Sequence, residues 1–201
     1  MRFFLAVIAS AVFAAPAYAG GGHYTFTGGT KSERATVTAA LDASSFDWNR
    51  VPRTIEIRIA PDAASEATPG AISLNADLLD AGTLAWGVVQ HEYAHQVDFF
   101  LLGDAERTQL QSSLGGTAWW QIGGVAHGDL ASERFASTLA WAYWPSTQNV
   151  MKPTTRGDEA GWIAPDAFRS LVASVLSRGG PAAVPAQVTS KAPILKRRRH
   201  R

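Results

Sequence analysis

Three side chains within residues 88–100, V-V-Q-H-E-Y-A-H-Q-V-D-F-F, have the types and spacing to hold a metal and use it: His91, Glu92 and His95 form the pattern H-E-x-x-H. Residues four apart on an α-helix share one face about one turn from each other, so the two imidazoles can converge on one tetrahedral Zn²⁺. Glu92 projects about 100° away from His91. From there its carboxylate can reach a water on the metal without ligating the metal, which is the position a general base for hydrolysis needs. The competing reading is a packed helix with two ordinary histidines. Against it, Leu84, Trp86, Val88, Val89, Val97, Phe99, Phe100 and Leu101 surround the motif with apolar side chains. Such a helix is expected to be buried, where two imidazoles and a carboxylate are costly unless a metal or hydrogen bonds satisfy them.

The chain has no cysteine, so thiolate ligands, cysteine nucleophiles and disulfides are excluded and metal ligands must be His, Asp or Glu. With His23 close to the start and His200 in the tail, only His91, His95 and His127 are candidate site histidines. Asp98 lies on the face of His91 and His95, either as an acceptor that holds a ligand or as a third ligand. The first role is favoured, because Asp98 lies one step further along the helix and Glu133 offers a better ligand. Residues 129–144, D-L-A-S-E-R-F-A-S-T-L-A-W-A-Y-W, read as a helix with Asp129 as N-cap, stopped by Pro145. On it Glu133 shares a face with Ala136, Ser137 and Ala140, small residues that would let this helix lie close to the first. That supports Glu133 as the third ligand over a surface Glu paired with a nearby Arg. An oxyanion formed in hydrolysis needs a donor besides the metal, and His127 and Tyr143 are the candidates, each weighed against a structural role.

The H-E-Y-A-H-Q-V-D stretch resembles the active-site helix of the zincin metallopeptidases. It is closest to the gluzincin branch, and is similar to the H-E-x-G-H-x-V-D form of the anthrax lethal factor family, with Ala94 where that family usually has Gly. The segment E-R-F-A at Glu133 is similar to the Glu-bearing helix of gluzincins. The likeness covers these two segments and not the whole chain. It implies an α+β zincin-like fold, a small mixed sheet with an active-site helix and a downstream Glu-bearing helix. It further implies a zinc-dependent endopeptidase acting on peptide or protein substrates. In that pattern the strand before the active-site helix is a sheet edge that pairs with extended substrate; an internal strand is the alternative weighed equally.

The elements that must position these residues follow from the rest of the chain. Residues 1–19 of 201 read as a secretory signal peptide, with Arg2, an apolar run over 3–15 and Ala17-Tyr18-Ala19 before the cleavage point. A secreted monomer is expected, with one catalytic domain over 20–179 and a disordered basic tail over 180–201. Residues 20–190 carry 11 Lys plus Arg against 17 Asp plus Glu, net −6, whereas Lys191, Lys196, Arg197, Arg198, Arg199 and Arg201 are basic. The acidic body gives no footprint for nucleic acid, and the tail is suited to an anionic cell-envelope surface.

Thr30 to Glu33 has the form of a capping box for a helix that runs to about 45 and backs the sheet. Residues 53–60 alternate Ile55, Ile57 and Ile59 with polar residues as a half-buried strand, and 70–75 form a second, with an Ala/Ser/Pro-rich loop between them. The metal helix is expected from Thr83 as N-cap to Gly103 just past its end. A helix over 104–114, a loop with Trp119 and Trp120 that lines a cleft or simply packs, a loop over 151–161 and a helix over 165–176 complete the reading. A second function class remains open: an extracellular binding or adhesion module, zinc-stabilised and without proteolytic activity. Glu92 argues against it, because zinc binding alone has no need of the base.

Overall fold

The structure, a computed structural model, describes residues 20–178 and 190–191; the expected signal peptide and the basic run at 196–201 lie outside the described residues. Five strands form one mixed sheet: β1 (Tyr24–Gly28), β2 (Ile55–Ala60), β3 (Glu66–Thr68), β4 (Ala71–Asn75) and β5 (Ser190–Lys191), in the order β1-β2-β4-β3-β5. β1, β2 and β4 are parallel, whereas β3 is antiparallel to both of its neighbours. The alternation in β2 and β4 puts Ile57 opposite Ile72 and Ile59 opposite Leu74, all four buried, so one face of the sheet carries the core.

An open alternative is decided here, and two expectations change. β4 is not a sheet edge, because β3, from the stretch read as a loop, pairs along it. The turn between them is Pro69-Gly70, with Gly70 at φ 84, where a side chain would be strained. The edge of β3 is in turn paired with Ser190–Lys191, inside the segment read as disordered.

The capping box at Thr30 is present: its hydroxyl accepts from the Glu33 N–H while the Glu33 carboxylate accepts from the Thr30 N–H, and α1 (Lys31–Asp42) follows. α2 (Ala76–Leu79) and a 3₁₀ turn (Gly82–Ala85) lead into α3 (Trp86–Leu101). Thr83 therefore sits in that turn and caps nothing. Gly103 does not end α3 in a left-handed conformation either; its backbone is extended, and its N–H is taken by Glu106 to start α4 (Asp104–Leu114). α5 (Ala131–Tyr143) begins after Leu130 rather than at Asp129, whose carboxylate instead accepts from Arg134. α6 (Pro165–Leu176) closes the described body with Phe168, Val172, Val175 and Leu176 buried.

α3 is the centre of this arrangement. α5 packs along one side, α1 along another, and β3 and β4 cover a third, so every residue from Gly87 to Phe99 is buried. α1 was expected to back the sheet, and its main neighbour is α3. A helix buried all round must satisfy its polar side chains internally. Gln90 Nε2 donates to the Ala40 carbonyl of α1 at 2.7 Å, and Gln96 accepts from Gly70 N–H and donates to the Thr68 carbonyl, both at 2.9 Å. These bonds clamp α1 and the β3–β4 hairpin onto α3, which leaves its remaining polar face to α5.

Candidate metal centre

The α3–α5 contact is close because α5 presents Ala136, Ser137 and Ala140 to it, all buried. Across this seam His91 and His95 face Glu133. His91 Nε2 and His95 Nε2 are 3.1 Å apart, and Glu133 Oε2 lies 3.2 Å from the first and 3.4 Å from the second. Donor atoms about 2.0–2.1 Å from a tetrahedral metal stand about 3.3–3.4 Å from one another, so the three atoms already lie near the corners of one face of such a site. The donor chemistry fits as well, since two imidazoles and a carboxylate are ligands that zinc accepts and that can leave a fourth position open. These three residues form a buried group able to hold a metal ion, and nothing in the geometry identifies the ion.

The electrostatics follow from that crowding. Burial alone would raise the Glu133 carboxyl, but attraction from His95 and the imidazoles of His127, His91 and His95 crowded against it outweigh burial and hold it well below the usual range. Burial pushes His91 down against the pull of Glu133. Glu92 is wholly buried, and neither of its oxygens meets a hydrogen-bond donor among the described residues. Burial, reinforced by the negative charges of Glu133 and Glu66, pushes its carboxyl well above the ordinary carboxylate range. Glu92 is thus a buried acid next in sequence to His91 with no protein donor on it among the described residues, the kind of group that acid–base chemistry uses.

His127, from a 3₁₀ turn (His127–Asp129), brings Nε2 to 3.1 Å from Glu133 Oε2 and 4.0 Å from Glu159 Oε1. Burial would lower it, yet the Glu133 carboxylate outweighs burial and raises it. Its side chain is 32% exposed and that of Glu159 18%, against 0–2% for His91, His95 and Glu133, so solvent reaches the cluster on the His127–Glu159 side.

The other candidate residues are placed elsewhere. Tyr143 stands ten positions beyond Glu133 on α5, about 15 Å along a helix. There its ring meets Phe46 edge-on and its carbonyl accepts from Ser45, so it is not brought to the site. Asp98 holds no ligand: Oδ1 accepts from Arg107 Nε and Oδ2 from Trp119 Nε1, each at 2.9 Å. Trp120 stacks on Phe99 and under the Arg107 guanidinium, so Trp119 and Trp120 are packing residues.

Two site residues had no assigned role in the sequence reading. Ser137 Oγ lies 3.0 Å from His91 Nδ1 and donates to Glu159 Oε2 at 2.6 Å. Ser137 was legible only as a small residue four positions after Glu133. Glu159 comes from a segment with no periodicity, where no signal could have marked it. Comparisons with family models, with curated proteins and with solved structures find no match to this chain.

Proposed function

We propose that the protein is an exported zinc-dependent endopeptidase with a zincin-like arrangement, in which His91, His95 and Glu133 hold the metal and Glu92 is the general base. The observation that carries this reading is the 3.1–3.4 Å triangle of His91 Nε2, His95 Nε2 and Glu133 Oε2 with the buried, donor-free carboxylate of Glu92 next in sequence. Two histidines and a carboxylate also suit iron. Glu92 favours hydrolysis, because a base of raised proton affinity has a use in activating water and none in holding a metal.

Zinc bound there supplies Lewis-acid polarisation of a peptide carbonyl and lowers the proton affinity of water. Glu92 removes the proton of the attacking water and returns it to the amine nitrogen that leaves. We assign to His127, on the solvent side of the cluster, the donation to the oxygen that becomes negative as water adds. The close fit of α3 to α5 and to the β3–β4 hairpin holds His91, Glu92, His95 and Glu133 on packed helices.

Metal analysis with casein hydrolysis by the wild type and Glu92→Gln tests the reading. The expected result is about one equivalent of zinc in both proteins and hydrolysis only in the first. Zinc in both without hydrolysis in either would favour a zinc-stabilised binding module instead.

A further inference from the structure

A carboxylate that touches no ligand nonetheless bears on the metal centre. Glu159 Oε2 lies 2.6 Å from Ser137 Oγ, and Ser137 Oγ lies 3.0 Å from His91 Nδ1, the ring nitrogen turned away from His95 and Glu133. A hydroxyl has one proton and a carboxylate only accepts, so the proton goes to Glu159; at 2.6 Å the bond is of the strong, charge-assisted kind. The other possible acceptor, Met151 Sδ at 3.6 Å, is weaker. Ser137 Oγ can then only accept from His91. His91 must carry its proton on Nδ1, and its Nε2 lone pair points into the triangle.

We infer that Glu159, acting through Ser137, is a positioning residue that fixes the tautomer and ring orientation of His91 so that Nε2 is presented to the metal. The segment around Glu159 is built to deliver it. Asp158 accepts from the N–H and hydroxyl groups of both Thr154 and Thr155, and its carbonyl accepts from Gly161 N–H, closing a 3₁₀ turn (Glu159–Gly161) that packs on α5. Ser137 is 1% exposed and His91 0%, so no bulk water competes for the bonds that set the tautomer. The inference rests on the metal-centre reading and is independent of peptide hydrolysis.

The test combines zinc competition with a chromophoric chelator and ¹⁵N–¹H spectra of the imidazoles in the full chain, for wild type, Glu159→Ala, Glu159→Gln, Ser137→Ala and the double alanine variant. The wild type should show His91 as the Nδ1–H tautomer before metal is added. Glu159→Ala and Ser137→Ala should each weaken zinc binding about 10- to 100-fold and let His91 exchange between tautomers. The double variant should be no weaker than the worse single one, since both cut one chain of bonds. Glu159→Gln, whose amide oxygen still accepts, should restore most of the affinity. Glu159 is on a partly exposed turn, so its arm stands even if Ser137→Ala fails to fold. A wild-type Nε2–H tautomer, or unchanged affinity in Glu159→Ala, overturns the relay while leaving the metal centre in place. A wild type that binds no zinc overturns both, and bound zinc without casein hydrolysis bears only on the peptidase reading.

Discussion

Two buried charged clusters lie about one turn apart on α3, and they are finished in different ways. At Asp98 the balance closes inside the protein. One oxygen accepts from Arg107, the other from Trp119, and the Asp98 carbonyl accepts from Arg107 Nη2 at 3.0 Å. At His91, Glu92 and His95 the side chains are equally buried, but the two imidazole nitrogens crowd against each other and Glu133, and Glu92 meets no donor among the described residues. Burial is therefore not what separates the two clusters. A buried carboxylate supplied with protein donors is a structural tie, whereas one left without them is stable only if something from outside completes the site.

The largest expected effect contrasts the two carboxylates directly. Glu92→Gln should lose about 10²- to 10⁴-fold in peptide hydrolysis while its denaturant midpoint stays level or rises, because an uncompensated acid is removed from the interior. Unchanged turnover would take Glu92 out of the mechanism.

Asp98→Asn should do the opposite. Leaving Arg107 buried without its counter-charge should cost about 3–5 kcal/mol in urea unfolding, with zinc content of the folded fraction unchanged. Loss of zinc from a folded Asp98→Asn protein would move Asp98 into the metal site and erase the contrast.

A smaller change in stability is expected from the metal itself. Stripping zinc with a chelator, or replacing His91 or Glu133 by Ala, should remove about 2.7 kcal/mol of the stability measured with free zinc at about 100 times its dissociation constant. Calorimetry should show this shift in Asp98→Asn as well, and its absence in the wild type would mean that the cluster balances itself without metal.

The smallest effect lies at a third carboxylate, satisfied but close to solvent. Backbone N–H groups of Thr155 and Thr154 hold Asp158 at about 2, below its ordinary 3.8. A lowered carboxyl stabilises the fold in its charged form, so this contribution is complete above about pH 4 and is lost as pH falls toward about 2. After solvent screening it should be less than about 1 kcal/mol. Asp158→Asn should therefore flatten the acid limb of the stability curve slightly, and an unaltered limb would show that the loop does not depend on this charge.

The sequence showed the elements whose pattern lies within one stretch of chain. The capping box of α1, the alternation of Ile55, Ile57 and Ile59 and the start of α6 at Pro165 all appear where their spacing places them. β3 was missed because E-A-T is too short to alternate and stands among Ala, Ser and Pro residues, and its partner β4 decides its conformation. Tyr143 could have been set aside from the sequence alone, since ten positions along one helix carry it away from Glu133. Asp98 could not, because the same helical face that carries His91 and His95 carries it too, and only α4 and the loop after it bring Arg107 and Trp119 to its oxygens.

By itself the sequence determined that His91 and His95 share one face of a helix, that Glu92 points away from it and that Glu133 sits among small residues on another helix. Helical periodicity fixes such relations within about two turns, whatever the rest of the chain does. Only the tertiary structure decided that Glu133 meets the two histidines, that Asp98 is tied to Arg107, and that Glu159 reaches His91 through Ser137. Those contacts join residues 9 to 46 positions apart, and at such separations partners are chosen by which elements bury their faces together and how the enclosed charges are balanced.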